Sequence, residues 1–206
     1  MARSKSSGRW LKEHFDDPYV KLAQKEGYRS RAAYKLLEIQ ERDRILRPGQ
    51  MIVDLGAAPG GWTQIAAAKV APGGIVFALD ILSMDTLAGV QIMQGDFREQ
   101  SVLDELLKLL EGRRVDLVLS DMAPNISGVD SVDQPRAIYL AELALEFSRQ
   151  VMAPGGVLLV KVFQGQGSEE YLRSLRAAFT TLAIRKPKAS RPRSNEVYAL
   201  ARNFKL

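Results

Sequence analysis

Five short apolar runs alternate with helix-like segments from residue 51 onward, and this alternation constrains the fold more than any other feature. The runs are MIVDL (51–55), GIVFALD (74–80), VQIMQGD (90–96), VDLVLSD (115–121) and VLLVKVF (157–163). The segments between them space Leu, Ile and Ala with helical periodicity. Strands that alternate with helices form a parallel sheet covered on both faces, so the chain is predicted to be an α/β protein.

The C-terminal part of the chain adds two more predicted strands. A helical pattern in SEEYLRSLRAAF is followed by the strand-like runs TLAIRKPK and NEVYALARN, which only ASRPRS separates. With so short a connection, these runs are predicted to pair as an antiparallel hairpin. Pro-Gly-Gly at 72–74 and 154–156 comes before a strand each time and is predicted to end the preceding helix, with glycine at positive φ.

Residues 1–50 are predicted to form a basic helical extension packed on a single domain that spans 1–206. The convincing helix of this segment is predicted to begin with Ser30 as its N-cap. One of its faces is apolar and should pack on the sheet: Ala32, Leu36 and Ile39. Another face is charged and is predicted from periodicity alone to be solvated: Arg31, Lys35, Glu38 and Arg42.

Composition excludes several classes of function. The chain has no cysteine, which rules out disulfides, thiolate nucleophiles and Cys-ligated zinc. Its one histidine, His14, cannot build a metal cluster alone, and no metal is expected. Neither a secretory signal nor an apolar run of membrane-spanning length is present. A cytoplasmic protein without membrane contact is therefore expected.

The charge distribution is compatible with a polyanionic partner. The net charge is +5, with a surplus of five positive charges in 1–50, a deficit of six in 51–184 and a surplus of six in 185–206. If the two basic ends meet in the fold, they form a surface suited to nucleic acid. Two solvated tails are the alternative, and composition alone does not decide between them.

A glycine-rich loop, VDLGAAPGGW (53–62), follows the first strand and opens a helix. Gly56 allows a sharp turn, and Gly60 and Gly61 let the backbone approach a ligand closely. The spacing differs from the dinucleotide fingerprint G-x-G-x-x-G, and a P-loop Gly-Lys-Ser/Thr is absent. A nicotinamide-dependent reductase is therefore disfavoured.

Four carboxylates stand at the carboxyl ends of predicted strands, where open parallel sheets bind their ligands: Asp54, Asp80, Asp96 and Asp121. Asp80 is placed to accept hydrogen bonds from a ribose diol, and Asp96 is placed to accept one from an adenine amino group. Any one of these acids could simply cap a helix. Four at one edge favour a ligand with a ribose, an amine and a positive centre, and S-adenosylmethionine has all three.

Lys161 is an ammonium group inside the most apolar run of the chain. A neutral lysine near Asp121 could take the proton of a ribose 2′-hydroxyl, provided its pKa falls below the usual value of about 10.4. A lysine that extends to water from a strand end is the alternative. Asn125 stands after Pro124 in SDMAPN, where amino-methylating enzymes carry a stacking aromatic residue, and C5 methylation needs a cysteine. A hydroxyl or, less favourably, a ring nitrogen remains as the nucleic-acid target.

Seven segments resemble the FtsJ family of ribose 2′-O-methyltransferases over nearly the whole chain. They are SRAAYKL (30–36), DLGAAPGGW (54–62), QGDFR (94–98), SDMAPN (120–125), DQPRAIYLAELAL (133–145), VKVFQG (160–165) and RPRSNEVY (191–198). The resemblance implies a Rossmann-like methyltransferase fold with a mostly parallel sheet of seven strands. It also implies a catalytic tetrad: Lys35, Asp121, Lys161 and Glu196. It further implies contacts to S-adenosylmethionine from Gly60, Trp62, Asp80, Asp96 and Asp121.

The same resemblance implies the substrate, a uridine in the A loop of large-subunit ribosomal RNA, methylated on the assembled subunit. A monomer is expected. In the tetrad, Lys161 would accept the proton, Lys35 would add positive potential, and Glu196 and Asp121 would orient the two ammonium groups. Basic residues including Arg29, Arg31, Arg191 and Arg193 are predicted to hold RNA phosphates. Two alternatives stay open: an RNA base N-methyltransferase, and a noncatalytic RNA-binding assembly factor.

Overall fold

The computed structural model describes residues 17–205, in which helices lie on both faces of a seven-stranded sheet. The helices within this range are α1 (Pro18–Glu26), α2 (Ala33–Asp43), α3 (Gly61–Val70), α4 (Gln100–Leu110), α5 (Asp130–Val151) and α6 (Ser168–Ala178). The strands are β1 (Met51–Leu55), β2 (Ile75–Asp80), β3 (Val90–Gln94), β4 (Val115–Ser120), β5 (Met152–Phe163), β6 (Phe179–Arg185) and β7 (Glu196–Phe204).

The strand order is β3-β2-β1-β4-β5-β7-β6. Strands β1 to β5 are parallel, and β7 runs antiparallel between β5 and β6. The predicted α/β fold, with its parallel sheet and its C-terminal antiparallel pair, is therefore confirmed. Strand order reverses direction at β1, whose neighbours are β2 and β4, so a ligand crevice is expected at the carboxyl ends of these strands.

Alternating side chains divide the core into two layers. On one face of the sheet, Ile52 and Leu159 pack with the apolar sides of α2 and α3. On the other face, Val53, Leu158 and Val160 pack with α4, α5 and α6. Because strand side chains alternate between faces, residue 161 must point to the same side as Leu159, the side that α2 and α3 cover.

The N-terminal helices differ from their sequence-based description. Helix α1, which the sequence analysis missed, begins after Asp17, whose side chain accepts a hydrogen bond from Tyr19 N at 2.9 Å. The prediction that Ser30 is an N-cap is wrong, because α2 begins only at Ala33 and the Ser30 hydroxyl has no partner. The predicted apolar face of α2 does pack on the sheet. Residues 1–16, including His14, lie outside the described range.

The two Pro-Gly-Gly segments take different roles. The first follows α3, with Gly73 at φ 84°, as predicted. The second lies within β5 rather than before it, because pairing with β4 starts at Met152, breaks, and resumes at Val157. The four residues between form a bulge, with Gly155 at φ 78°.

Candidate active site

The register of β5 against β7 brings together the C-terminal members of the predicted tetrad. Lys161 lies directly opposite Tyr198, and Phe163 lies opposite Glu196. Residues that face each other across an antiparallel pair project to the same side, as do residues two apart in one strand. Lys161, Glu196 and Tyr198 therefore all point to the face that α2 covers.

Helix α2 contributes Lys35 to this group. Its ammonium group donates to Glu196 Oε1 at 2.6 Å and to the Tyr198 hydroxyl at 3.1 Å. The side chain is buried, so the expectation from periodicity that Lys35 belongs to a solvated face is wrong. Of the other residues on that face, Arg31 is half-buried against Asp17, at a distance of 2.9 Å, and Arg42 is exposed.

Asp121 joins the group from the end of β4. Its backbone N–H donates to Leu55 O at 3.1 Å and so extends the ladder between β4 and β1. Lys161 Nζ lies 2.8 Å from Asp121 Oδ1 and donates to the Asp121 carbonyl oxygen at 2.9 Å. The Tyr198 hydroxyl donates to the same Oδ1 at 2.7 Å. The structure therefore brings all four predicted tetrad residues together around Tyr198.

The lysines keep both carboxyl groups ionised. Burial favours the neutral form of Asp121, but Lys161, Lys35 and the hydrogen bonds to Oδ1 outweigh it and hold the pKa of Asp121 below its usual value. The pKa of Glu196 is lowered in the same way, with Lys35 outweighing burial. Burial, with the charges of Asp121 and Glu196, raises the pKa of Tyr198, so its hydroxyl remains a donor. Two lysines and two acids thus form one coupled set.

A cleft of about 590 Å³ opens beside this network at the carboxyl ends of β1 to β4. Its volume lies within the range of small-molecule sites. Three of the lining side chains are carboxylates: Asp80, Asp96 and Asp121. Much of the remaining lining is apolar: Ile81, Leu82, Phe97, Met122 and Tyr139.

Backbone contacts fix the carboxylate at the end of β2. Asp80 Oδ2 accepts from Ala58 N at 2.9 Å, and Asp80 Oδ1 accepts from Leu82 N at 2.8 Å. Each oxygen keeps a lone pair for a further donor. Asp96 instead pairs with Arg98, whose guanidinium lies 2.6 Å from Oδ2 and lowers the pKa of the carboxyl.

Three residues predicted to bind a cofactor do not line the cleft. Asp54 is buried under the loop, where Oδ2 accepts from Thr63 Oγ1 at 2.6 Å and Oδ1 has no partner. Burial raises the pKa of Asp54 to about 7. Trp62 is also buried; its Nε1 donates to Ala32 O at 2.8 Å and its ring centroid lies 5.4 Å from that of Tyr198. Gly60, at φ 106°, makes the turn into α3.

Glycine at position 56 allows two loops of the cleft to meet. A Cβ there, at φ 76°, would lie 2.9 Å from the backbone nitrogen of Met122, which is closer than real contacts permit. Gly56 therefore lets the loop after β1 touch the loop that follows Asp121.

Tyr198 is the member of the network that the sequence analysis missed. Its place two residues after Glu196 in a predicted strand was the available signal, because that spacing puts both side chains on one face. Across residues 17–205, no group of three His, Cys, Asp or Glu side chains is arranged to hold a metal ion. None of the helices in that range is both long and apolar enough to cross a membrane.

A mostly parallel sheet with a carboxylate-lined cleft at its switch point defines a Rossmann-like ligand-binding protein. Residues 28–204 match the model of the family described as FtsJ-like methyltransferase. The match covers most of the chain, and the chain belongs to the FtsJ-like methyltransferase family.

Several relatives are similar over their whole length. Proteins named Ribosomal RNA large subunit methyltransferase E are 61% identical in Chromohalobacter salexigens, 62% in Alkalilimnicola ehrlichii and 58% in Pseudomonas aeruginosa. These alignments cover at least 99% of this chain and 98% of each relative.

Solved structures of related fold include two ribosomal RNA methylases. A ribosomal RNA methyltransferase of Plasmodium falciparum superposes with a TM-score of 0.77 at 28% identity, covering 86% of this chain and 98% of that one. An rRNA-methylase of Clostridium thermocellum has a TM-score of 0.57 at 15% identity, covers 83% of this chain and 97% of its own, and shares the fold.

Proposed function

We propose that this protein transfers a methyl group from S-adenosylmethionine to a ribose 2′-hydroxyl of ribosomal RNA. The arrangement of Lys161 carries the proposal, because a rigid strand holds its Nζ against Asp121 at the edge of a cofactor-sized cleft. The names of the relatives support ribosomal RNA of the large subunit as the substrate. The FtsJ resemblance supports a uridine of the A loop, modified on the assembled subunit.

The lining of the cleft fits S-adenosylmethionine. Asp80 presents two oriented carboxylate oxygens that can accept from the hydroxyls of a ribose. The apolar side chains Ile81 and Phe97 offer flat surface for an adenine ring. Asp121 places negative charge where a positive sulfur would be favourable. When bound, S-adenosylmethionine supplies an electrophilic methyl group carried by that sulfur.

Lys161 is the proton acceptor in this mechanism. In the form that reacts, its Nζ is uncharged and takes the proton of the 2′-hydroxyl, the group that S-adenosylmethionine, when bound, would methylate. The proton leaves Lys161 positively charged, and the Asp121 carboxylate stabilises that charge. Lys35, held by Glu196 and Tyr198, adds positive charge that stabilises the developing alkoxide. The side chains of the network are largely buried, which limits access of water to the reacting atoms.

Locating the transferred methyl group tests the proposal. Large subunits and protein-free ribosomal RNA, both from cells that lack this activity, are incubated with the protein and S-adenosylmethionine labelled in its methyl group. A 2′-O-methyl group blocks alkaline cleavage of the adjacent phosphodiester, so the label should remain in an alkali-stable dinucleotide that contains 2′-O-methyluridine. Label on a base would support the base N-methyltransferase instead, and no transfer to either RNA would support the noncatalytic assembly factor.

A further inference from the structure

A second concave surface lies on the far side of α2 from Lys35. This open groove has a volume of about 910 Å³ and runs between α1, α2, the end of α3 and the connection from β6 to β7. We name it the α2 groove and define it by six of its lining residues: Tyr19, Tyr34, Arg44, Arg47, Lys69 and Lys188. None of these six residues belongs to the cofactor cleft or the tetrad.

The four basic side chains of the α2 groove are exposed, and none of them forms an ion pair within residues 17–205. Other basic residues nearby are used inside the protein. Arg29, which was predicted to hold phosphate, donates to the carbonyl oxygens of Asp85 and Thr86 at 2.7 and 2.8 Å. Arg31 pairs with Asp17 and donates to Ala189 O at 2.7 Å. The four cations of the groove are therefore available to an external partner, whereas Arg29 and Arg31 are engaged inside the protein.

Acidic residues offset this charge only in part. Glu38 and Glu41 also line the groove. Glu38 is engaged, because its Oε2 accepts from Lys188 N at 2.8 Å. Four cations against two carboxylates leave a net positive surface, which suits a polyanion.

Aromatic rings lie among these charges. The rings of Tyr19 and Tyr34 are 5.4 Å apart, and the Tyr34 hydroxyl donates to Glu26 at 2.7 Å, which orients its ring. Aromatic faces next to basic side chains are the usual platform for unpaired bases, since the rings stack and the cations contact the backbone phosphates.

The α2 groove is connected to the active site by two elements. Helix α2 forms one wall and carries Lys35 on its other side. The connection that contributes Lys188 runs on into Glu196. A strand bound in the groove would therefore be held by the same elements that position the two tetrad residues.

We propose that the α2 groove binds a stretch of ribosomal RNA outside the target nucleotide, through phosphate contacts and base stacking. This inference rests on the proposed function for the identity of the RNA. It assigns recognition beyond the reacting ribose to a surface separate from the catalytic cleft.

The test compares two quadruple variants with equal change of charge. The groove variant carries Arg44→Gln, Arg47→Gln, Lys69→Gln and Lys188→Gln. The control variant carries Lys108→Gln, Arg149→Gln, Arg173→Gln and Arg176→Gln, on helices that cover the other face of the sheet. Affinity for large subunits and for protein-free ribosomal RNA is measured by filter binding over a series of salt concentrations.

We expect the groove variant to bind both RNAs at least tenfold more weakly at moderate salt, and the control variant to bind within about twofold of the unmodified protein. Each lost phosphate contact lowers the salt slope by about 0.7 to 0.9, so the slope should fall by about three. Affinity for S-adenosylmethionine and stability in urea should be unchanged. Tyr19→Ala should weaken binding of protein-free RNA severalfold without altering the salt slope.

Equal affinities of the two quadruple variants would overturn the proposal. So would weaker binding of assembled subunits alone, which would identify an acidic protein surface as the occupant. Because binding is measured without methyl transfer, the measured affinities do not depend on whether the proposed reaction is correct. A methyl group found on a base would overturn the proposed function and leave the groove measurement intact.

Discussion

The Tyr198 hydroxyl donates to Asp121 Oδ1 at 2.7 Å and accepts from Lys35 Nζ at 3.1 Å, so one side chain joins the two ion pairs of the site. Without this hydroxyl, the ion pairs Lys35–Glu196 and Lys161–Asp121 remain, but the tyrosine no longer links them.

Tyr198→Phe should slow methyl transfer about fivefold, since a typical hydrogen bond contributes roughly 1 kcal/mol. The ring would still pack on Trp62, so stability and cofactor affinity should change little. Single-turnover rates at saturating cofactor and RNA measure the effect. A rate equal to that of the unmodified protein would show that the link has no part in the reaction.

Lys161→Met should reduce the rate of methyl transfer by a factor of about 10² to 10⁴, the range of a lost general base. Methionine keeps the length of the apolar stem and removes the ammonium group, so cofactor affinity should stay within about threefold. Calorimetric titration with S-adenosylmethionine and a single-turnover assay separate the two effects. Turnover close to that of the unmodified protein would remove Lys161 from the role of proton acceptor.

Asp80→Asn should weaken cofactor binding about tenfold to a hundredfold, because hydrogen bonds to a charged acceptor contribute roughly 1.5 to 3 kcal/mol. Asp104→Asn is the matched control, since Asp104 lies on α4, outside the cleft lining, and accepts a hydrogen bond from Gln100 at 2.8 Å. Both variants are titrated with S-adenosylmethionine. Similar affinities would mean that Asp80 does not contact the ribose.

Asp54→Asn should change how stability depends on pH. Burial raises the pKa of Asp54 from 3.8 to about 7, so the folded protein binds more protons than the unfolded chain between these values. Stability contributed by the neutral carboxyl is therefore present below pH 3.8 and is lost as the pH rises through about 7. The loss is on the order of 4 kcal/mol. The free energy of unfolding, measured in urea at pH 5, 6, 7 and 8, should decline with pH in the unmodified protein and not in the Asn variant. The same pH dependence in both proteins would contradict the prediction.

Arg185→Ala should destabilise the protein by about 2 kcal/mol, a discounted value for a partly buried pair. Arg185 donates to both carboxylate oxygens of Asp43 at 2.7 Å and ties the end of α2 to β6. The control is Arg173→Ala, whose pair with Glu170 is about two-thirds exposed and should contribute less than about 1 kcal/mol. Urea unfolding compares the two.

The pH gives a second check on this ion pair. The hydrogen bond from Arg185 lowers the pKa of Asp43, so its contribution is present above pH 3.8 and is lost as the pH falls through the lowered pKa. The difference in free energy of unfolding between Arg185→Ala and the unmodified protein should therefore become smaller in acid. A constant difference down to pH 2 would contradict the assignment.

Local pattern was enough to predict the sheet and the edge where the carboxylates of the cleft lie. Runs such as VDLVLSD carry both the strand and the carboxylate that follows it, so Asp80, Asp96 and Asp121 could be placed without distant contacts. The bulge in β5 could not be predicted, because it depends on how Met152 and Val157 pair with β4.

Sequence pattern could not identify residues whose roles depend on partners distant in sequence. Lys35 reaches Glu196 and Tyr198 across 161 and 163 positions of sequence, and helical periodicity alone assigned it to a solvated face. Only the family resemblance selected it. Ser30 looked like an N-cap by residue type, but the chain makes another turn before α2 begins.

The pairing of Lys161 with Tyr198 has a consequence for how this protein can vary. One extra residue between Glu196 and Tyr198 would leave the tyrosine in place and flip the glutamate through the sheet, away from Lys35. Extra residues in the connection ahead of β7 would leave both orientations untouched. The proposed role of Glu196 therefore predicts that active homologues differ in the length of that connection and keep the one-residue gap between the acid and the tyrosine.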